Sequence, residues 1–213
     1  MNRSIEFFAR QFKRQIERED FALNPFEVRV LPYLRGTVLD LGCGLGNLAL
    51  AAARAGAEVT ALDACADAIA ALRARADAAG LRLEATAADL GDWRAACPFD
   101  CVVSIGLLMF LRCEKAAILL DELQRATRPG GLLALNVLVS GTTFLDMFDA
   151  DDYCLFDADD VRARLAGWRV LEDTIETFPA GPAQAKRFIT LIARKPEAGR
   201  EAEGAGTDSS VAT

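Results

Sequence analysis

A chain of 213 residues, 52% of them hydrophobic, can bury one substantial core and is short for two independent domains. No apolar run approaches the roughly 20 residues needed to cross a bilayer, the N-terminus lacks the sustained apolar stretch of a secretory signal, and a cytoplasmic location without membrane contact is expected. The net charge of −7 disfavours nucleic acid as a partner, because affinity for a polyanion comes from clustered Lys and Arg, and the absence of histidine removes the commonest general base near neutral pH.

In chain order, Ile5, Phe8, Phe12 and Ile16 recur at helical spacing, so residues 4–19 are expected to form an amphipathic helix that acts as a lid or brace. Arg10, Lys13, Arg14 and Arg18 cluster there, but Glu6, Glu17, Glu19 and Asp20 interleave with them, as on an ordinary solvated helix. In Asn24-Pro-Phe-Glu27, Pro25 either opens a short helix or belongs to a lip over a ligand.

From Thr37 short apolar runs alternate with helical stretches. Val38–Leu41, Val59–Leu62, Leu81–Ala85, Cys101–Ser104 and Leu132–Leu138 read as buried strands, and residues 47–55, 65–79 and 114–127 read as the helices between them. Asp157 reads as the N-cap of a helical run at Val161–Leu165, and β-rich segments at 168–178 and 187–194 complete one sheet edge. This alternation implies a doubly wound α/β fold, a mostly parallel sheet with helices on both faces. The expected organisation is a helical lid at 1–35, one α/β domain at 36–195, and a small, polar, disordered tail at 196–213.

The six cysteines stand at irregular spacings without a Cys-x-x-Cys pair, so they read as reduced thiols and buried small hydrophobes, with neither a disulfide framework nor a metal site. The chemistry is concentrated in Val38-Leu-Asp-Leu-Gly-Cys-Gly-Leu-Gly-Asn47, a strand running through an acid and three alternating glycines into a helix. Gly42, Gly44 and Gly46 allow backbone to approach a ligand closely. A dinucleotide fingerprint places its third glycine where Asn47 stands, and the Asp40 carboxylate repels a pyrophosphate; a ligand with an α-amino group and a sulfonium fits better. The second strand ends at Asp63, which either accepts from ribose hydroxyls or caps the following helix. The third leads to Asp89 and Leu90 on the same rim, where Asp89 either accepts from an adenine amino group or serves as a turn residue.

Val38–Gly46, Ala61-Leu-Asp63, Ala88-Asp89-Leu90, Phe99–Ser104 and Arg128-Pro-Gly-Gly131 together resemble the class I S-adenosylmethionine-dependent methyltransferases over residues 24–195. Val103–Leu111, Arg128–Gly131, Ala166-Gly-Trp168 and Phe188–Lys195 resemble the tellurite-resistance methyltransferase-like group within them. The resemblance implies a Rossmann-like, seven-stranded sheet and S-adenosylmethionine as cofactor, with S-adenosylhomocysteine as product. It implies that Asp40, Gly42, Cys43, Gly44 and Gly46 hold the methionine portion, Asp63 the ribose, and Asp89 with Leu90 the adenine. Asn47 and Ala64 belong to the same binding set, and Ser104 and Ile105 face the sulfonium end. Cys43 is expected to pack rather than react.

In-line methyl transfer needs mainly alignment and exclusion of water, so few obligatory catalytic residues are expected. The candidates are Asp152 and Tyr153 in Asp146–Cys154, which orient an acceptor unless that segment is simply a solvated acidic loop. If it overhangs the site, its seven aspartates between 146 and 160 favour amine or neutral acceptors. The acceptor is expected to be a small molecule. The Asp- or Asn-Pro-Pro-aromatic motif of nucleic-acid amino-methylating enzymes is replaced by Ser104-Ile-Gly-Leu, and the Pro-Cys of cytosine-C5 enzymes is missing. A non-catalytic S-adenosylmethionine-binding module and an NAD-dependent dehydrogenase are the alternatives. The oligomeric state is not legible, since exposed and core-facing apolar helix faces read alike.

Overall fold

The structure, a computed structural model, describes residues 3–150 and 152–198. Helix α1 (Arg3–Glu17) and the short α2 (Pro25–Val30) precede β1 (Thr37–Leu41), α3 (Asn47–Arg54), β2 (Glu58–Asp63), α4 (Ala66–Ala78), β3 (Glu84–Ala87) and β4 (Phe99–Ile105). There follow α5 (Cys113–Ala126), β5 (Thr127–Leu138), α6 (Ala158–Arg164), β6 (Arg169–Pro179) and β7 (Ala185–Arg194). The strands form one seven-stranded sheet in the order β3-β2-β1-β4-β5-β7-β6, parallel except for β7, which runs antiparallel to both neighbours. The doubly wound, mostly parallel architecture expected from the alternation is the one observed, with the β6–β7 hairpin forming the far edge.

Strand alternation divides the core between two faces. Val38, Val59, Ala61 and Val103 pack with α3 and α4 residues such as Leu48 and Leu72, while Leu39, Leu41, Val102 and Leu135 pack with Leu119 and Leu123 of α5. The helix starts use the local chemistry expected of them. Asn24 accepts from the backbone of Phe26 and Glu27 while Glu27 reaches back to the Asn24 N–H, a reciprocal capping box with Pro25 at the first helical position. Asp157 caps α6 by accepting from Asp159 and Asp160.

Three expectations are corrected. The third strand begins at Glu84 rather than Leu81, because the end of α4 consumes that stretch: Gly80 turns at φ +63° and the Leu81 N–H closes on the Ala76 carbonyl. The cysteines are not all reduced thiols: Cys113 and Cys154 form a disulfide across 41 residues, with Cα atoms 4.8 Å apart. Cys43, Cys65 and Cys101 are buried free thiols, but Cys97 is exposed. Of the expected tail, residues 199–213 lie outside the described residues. No described helix is long and apolar enough to cross a membrane.

Candidate functional site

At the carboxyl ends of β1, β2 and β4, where open α/β sheets bind their ligands, lies a cavity of about 790 Å3. Its floor is the glycine loop, shaped by backbone conformations that favour glycine: φ is +82° at Gly42, +53° at Gly44 and +68° at Gly46. A Cβ on Gly42 would sit 2.9 Å from the Cβ of Leu107, and one on Gly44 would sit 3.1 Å from the Phe12 ring, so α1 lies directly over the loop. Gly46 does not line the cavity; a Cβ there would run into Leu72, which makes its role the packing of α3 against α4.

Asp40, Gly42, Cys43, Gly44, Asn47, Asp63, Ala64, Asp89, Leu90 and Ile105 all line this cavity. Asp63 accepts from the backbone N–H of Gly44 and of Cys65, each at 2.8 Å, so it ties the end of β2 to the glycine loop and to the start of α4. Asp89 accepts from the Gly91 N–H at 2.9 Å. Asn47 is held by the Arg75 guanidinium at 2.9 Å, and Arg75 in turn covers the Phe21 ring.

The carboxylates around the loop share one electrostatic character. Asp40 is buried, and its pKa is pushed up to about 8 by burial first, then by the charges of Glu27 and Asp63. Burial also raises Glu27, against the hydrogen bond from the Asn24 N–H, and raises Asp63 against its backbone donors. Three carboxyl groups held partly out of water around a backbone loop make a site that gains from an incoming cation. Among the described residues, no three acids or thiols converge in a way that could hold a metal ion. Cys43 sits beside them as a buried thiol pushed well above its ordinary pKa by burial, Asp40 and Asp63, a side chain that packs and does not ionise.

The other end of the cavity is aromatic. Phe26 of α2, Phe178 of β6 and Phe188 of β7 meet with ring centroids 5.2–6.0 Å apart, and Phe7, Phe8, Phe110 and Phe144 extend the apolar wall. Lys186 is the one Lys or Arg among the described lining residues; its ammonium lies 4.5 Å from the Phe144 ring centroid, and burial lowers its pKa. Asn136 also lines the cavity, almost fully buried, with its Nδ2 donating to the Thr190 hydroxyl at 2.9 Å and its Oδ1 left without a hydrogen-bond partner.

Some expected site residues lie elsewhere. Ser104 is fully buried and off the cavity, because alternation along β4 puts it on the face of Val102. Asp152 pairs with Arg112 at 3.5 Å, and Tyr153 stacks on Phe148 at 4.7 Å; neither lines the cavity. Nor does any described aspartate between 146 and 160, so the expected acidic overhang gives way to a wall whose charge is the Lys186 ammonium. Lys186 and Asn136 carry no motif in the sequence. The signal that was available is the alternation of β7, which puts 186, 188 and 190 on one face.

Known proteins resemble this chain in sequence and fold. Residues 38–131 match a protein family described as a methyltransferase domain. The chain is 31% identical over 170 residues to hemagglutinin 1 of Eikenella corrodens, covering 74% of this chain and 54% of that protein. It is 26% identical over 165 residues to the probable S-adenosyl-L-methionine-dependent methyltransferase TehB of Haemophilus influenzae, covering 74% and 57% of the two chains. The crystal structure of TehB from Haemophilus influenzae superposes with a TM-score of 0.73 at 21% identity, covering 85% of this chain and 65% of that one. The chain thus spans about half the length of the curated relatives it matches.

Proposed function

Because residues 38–131 match a methyltransferase domain and the chain is similar to TehB in sequence and fold, we propose that it is a class I S-adenosylmethionine-dependent methyltransferase that transfers a methyl group in line to a small-molecule acceptor. The observation that carries this reading is the buried Asp40, raised to about 8 and flanked by Glu27 and Asp63 across a glycine loop open to the cavity. Such a cluster is relieved by an ammonium and strained further by a phosphate.

The bound cofactor supplies a methyl group already activated on a sulfonium. On this reading Asp40 and the backbone of Gly42–Gly44 hold its amino-acid end, Asp63 its ribose, and Asp89 with Leu90 its adenine. The chain's own contribution is positioning and exclusion of water: Phe8 and Phe12 bring α1 over the loop as a lid, and the aromatic end confines the acceptor. A small-molecule acceptor suits a cavity of about 790 Å3 closed over by α1.

Calorimetric titration with S-adenosylmethionine, S-adenosylhomocysteine and NADH, with Asp63→Ala as control, tests the reading. Binding of the first two, lost in the variant, supports it; binding of NADH alone overturns it. Tight cofactor binding with no S-adenosylhomocysteine released across an acceptor panel marks the chain as a non-catalytic binding module.

A further inference from the structure

The two ends of the cavity differ in charge, and the difference bears on the acceptor. The acids lining it are Glu27, Asp40, Asp63 and Asp89, all of them on α2, the glycine loop rim or the β3 exit. A second wall, built by the β6–β7 hairpin, the segment after β5 and Phe26 of α2, brings together Phe26, Phe144, Phe178 and Phe188 with the half-buried Lys186, and Glu27, next to Phe26, is the acid that α2 contributes. None of the ion pairs among the described residues includes Lys186; its ammonium lies over the Phe144 ring. A cation held in an aromatic wall without a counter-charge attracts an anion and repels an amine. The register of β5 with β7 puts Asn136 opposite Thr190 on the sheet face shared with Phe188 and Lys186, and its buried, unpartnered Oδ1 can accept a hydrogen bond from a second polar group.

Resting on the cofactor reading above, we propose that the acceptor is a flat aromatic molecule bearing an ionisable hydroxyl, and that Lys186 holds the acceptor oxygen as its anion while the surrounding phenylalanines hold the ring. The acceptor hydroxyl gives its proton to solvent on binding, and Lys186 remains charged. The phenolate oxygen then forms the new O–C bond as the C–S bond of the sulfonium breaks with its electron pair staying on sulfur, leaving a neutral methyl ether and a neutral thioether. Lys186 acts here through charge, so arginine replaces it in part and methionine does not. Its neighbour Arg187 is engaged elsewhere, donating to the Ser140 carbonyl at 2.9 Å.

The test is ternary binding, which needs no turnover. Protein saturated with S-adenosylhomocysteine is titrated with 4-nitrocatechol, whose anion is read by absorbance, and with phenethylamine as the flat-bodied amine. The expected result is saturable binding of 4-nitrocatechol as its anion, in preference to the amine. Lys186→Met weakens that binding at least tenfold and raises the pH at which the bound hydroxyl ionises, Lys186→Arg restores most of both, and S-adenosylhomocysteine affinity stays unchanged in each variant. Equal affinity in Lys186→Met, preference for the amine, or a cofactor complex that binds no phenol overturns the acceptor assignment and leaves the cofactor reading standing. Failure of S-adenosylhomocysteine to bind the unmodified protein overturns both, and is seen before any phenol is added.

Discussion

Asp63 clamps Gly44: one carboxylate oxygen accepts the glycine N–H at 2.8 Å while the other accepts the Cys65 N–H at 2.8 Å. The acid assigned to the ribose therefore also sets the shape of the loop that faces the rest of the ligand. Asp63→Ala leaves two donors without their partner and is expected to cost about 1–2 kcal/mol of stability, with a larger loss, roughly a hundredfold, in S-adenosylhomocysteine affinity. Asp63→Asn keeps one acceptor oxygen and is expected to melt closer to the unmodified protein while still binding weakly. Thermal melts beside calorimetric titrations check this; equal losses of stability and affinity in both variants would refute the double role.

On the proposed cofactor reading, Asp40 is expected to couple cofactor binding to pH. Its folded pKa of about 8 lies above that of an unfolded aspartate, so its contribution to stability is fully present below about pH 4 and is lost as pH rises through 8. An ammonium beside it favours the carboxylate, so S-adenosylhomocysteine affinity is expected to rise between about pH 6 and 8 with release of a proton. Titrations in buffers of different ionisation enthalpy measure that proton. Asp40→Asn is expected to stabilise the free protein near pH 8 and to flatten the pH dependence of a weakened affinity. A pH-independent affinity in the unmodified protein would remove Asp40 from the site.

These carboxylates were legible because local pattern fixes their place: an acid at the end of an apolar strand, beside glycines that must turn at positive φ, arrives on the carboxyl rim whatever the rest of the chain does. The aromatic wall with Lys186 was not. Lys186 reaches the cavity because β7 inserts antiparallel between β5 and β6, a pairing of distant segments that no local periodicity encodes. The acidic run from 146 to 160 misled for the same reason. Its side chains find partners close at hand, Asp152 on Arg112, Asp157 on the start of α6 and Asp159 on Arg162, and so face away from the cavity. The Cys113–Cys154 pairing likewise depends on where the chain returns after β5, and spacing alone carries no trace of it.

Away from the cavity, Asp100 joins the start of β1 to β4. It accepts from the Thr37 N–H at 2.8 Å and from Arg128 at 2.6 Å, and the Thr37 bond first, with the Arg128 charge behind it, lowers its pKa. A depressed carboxylate contributes stability above its unfolded pKa that is lost as pH falls through the folded value, so this lock opens below about pH 4. Asp100→Ala is expected to lower the melting temperature at neutral pH and to flatten its fall in acid. Gly36→Ala tests the same junction sterically: φ is +64°, and the added Cβ would lie 2.2 Å from the Asp100 carboxylate. It should cost more than about 1 kcal/mol in denaturant titrations, and a neutral effect would mean the junction yields freely.

The Cys113–Cys154 bridge closes a loop of 41 residues that begins at α5, runs through β5 and returns beside the cavity, where the Cys154 N–H donates to the Met109 carbonyl at 3.0 Å. Loop entropy alone sets its contribution at no more than about 4 kcal/mol. Reductant, or Cys113→Ser, is therefore expected to lower the melting temperature, and thiol titration of the denatured, unreduced protein should find four free cysteines, the two in the bridge being silent. Because Met109 lines the cavity and the bridge pins the segment behind it, reduction should also weaken phenol binding. S-adenosylhomocysteine affinity should hold, since Glu27, Asp40 and Asp63 are anchored by α2, β1 and β2, which the bridge does not touch. Six reactive thiols and a melt unchanged by reductant would show that the two cysteines meet without bonding.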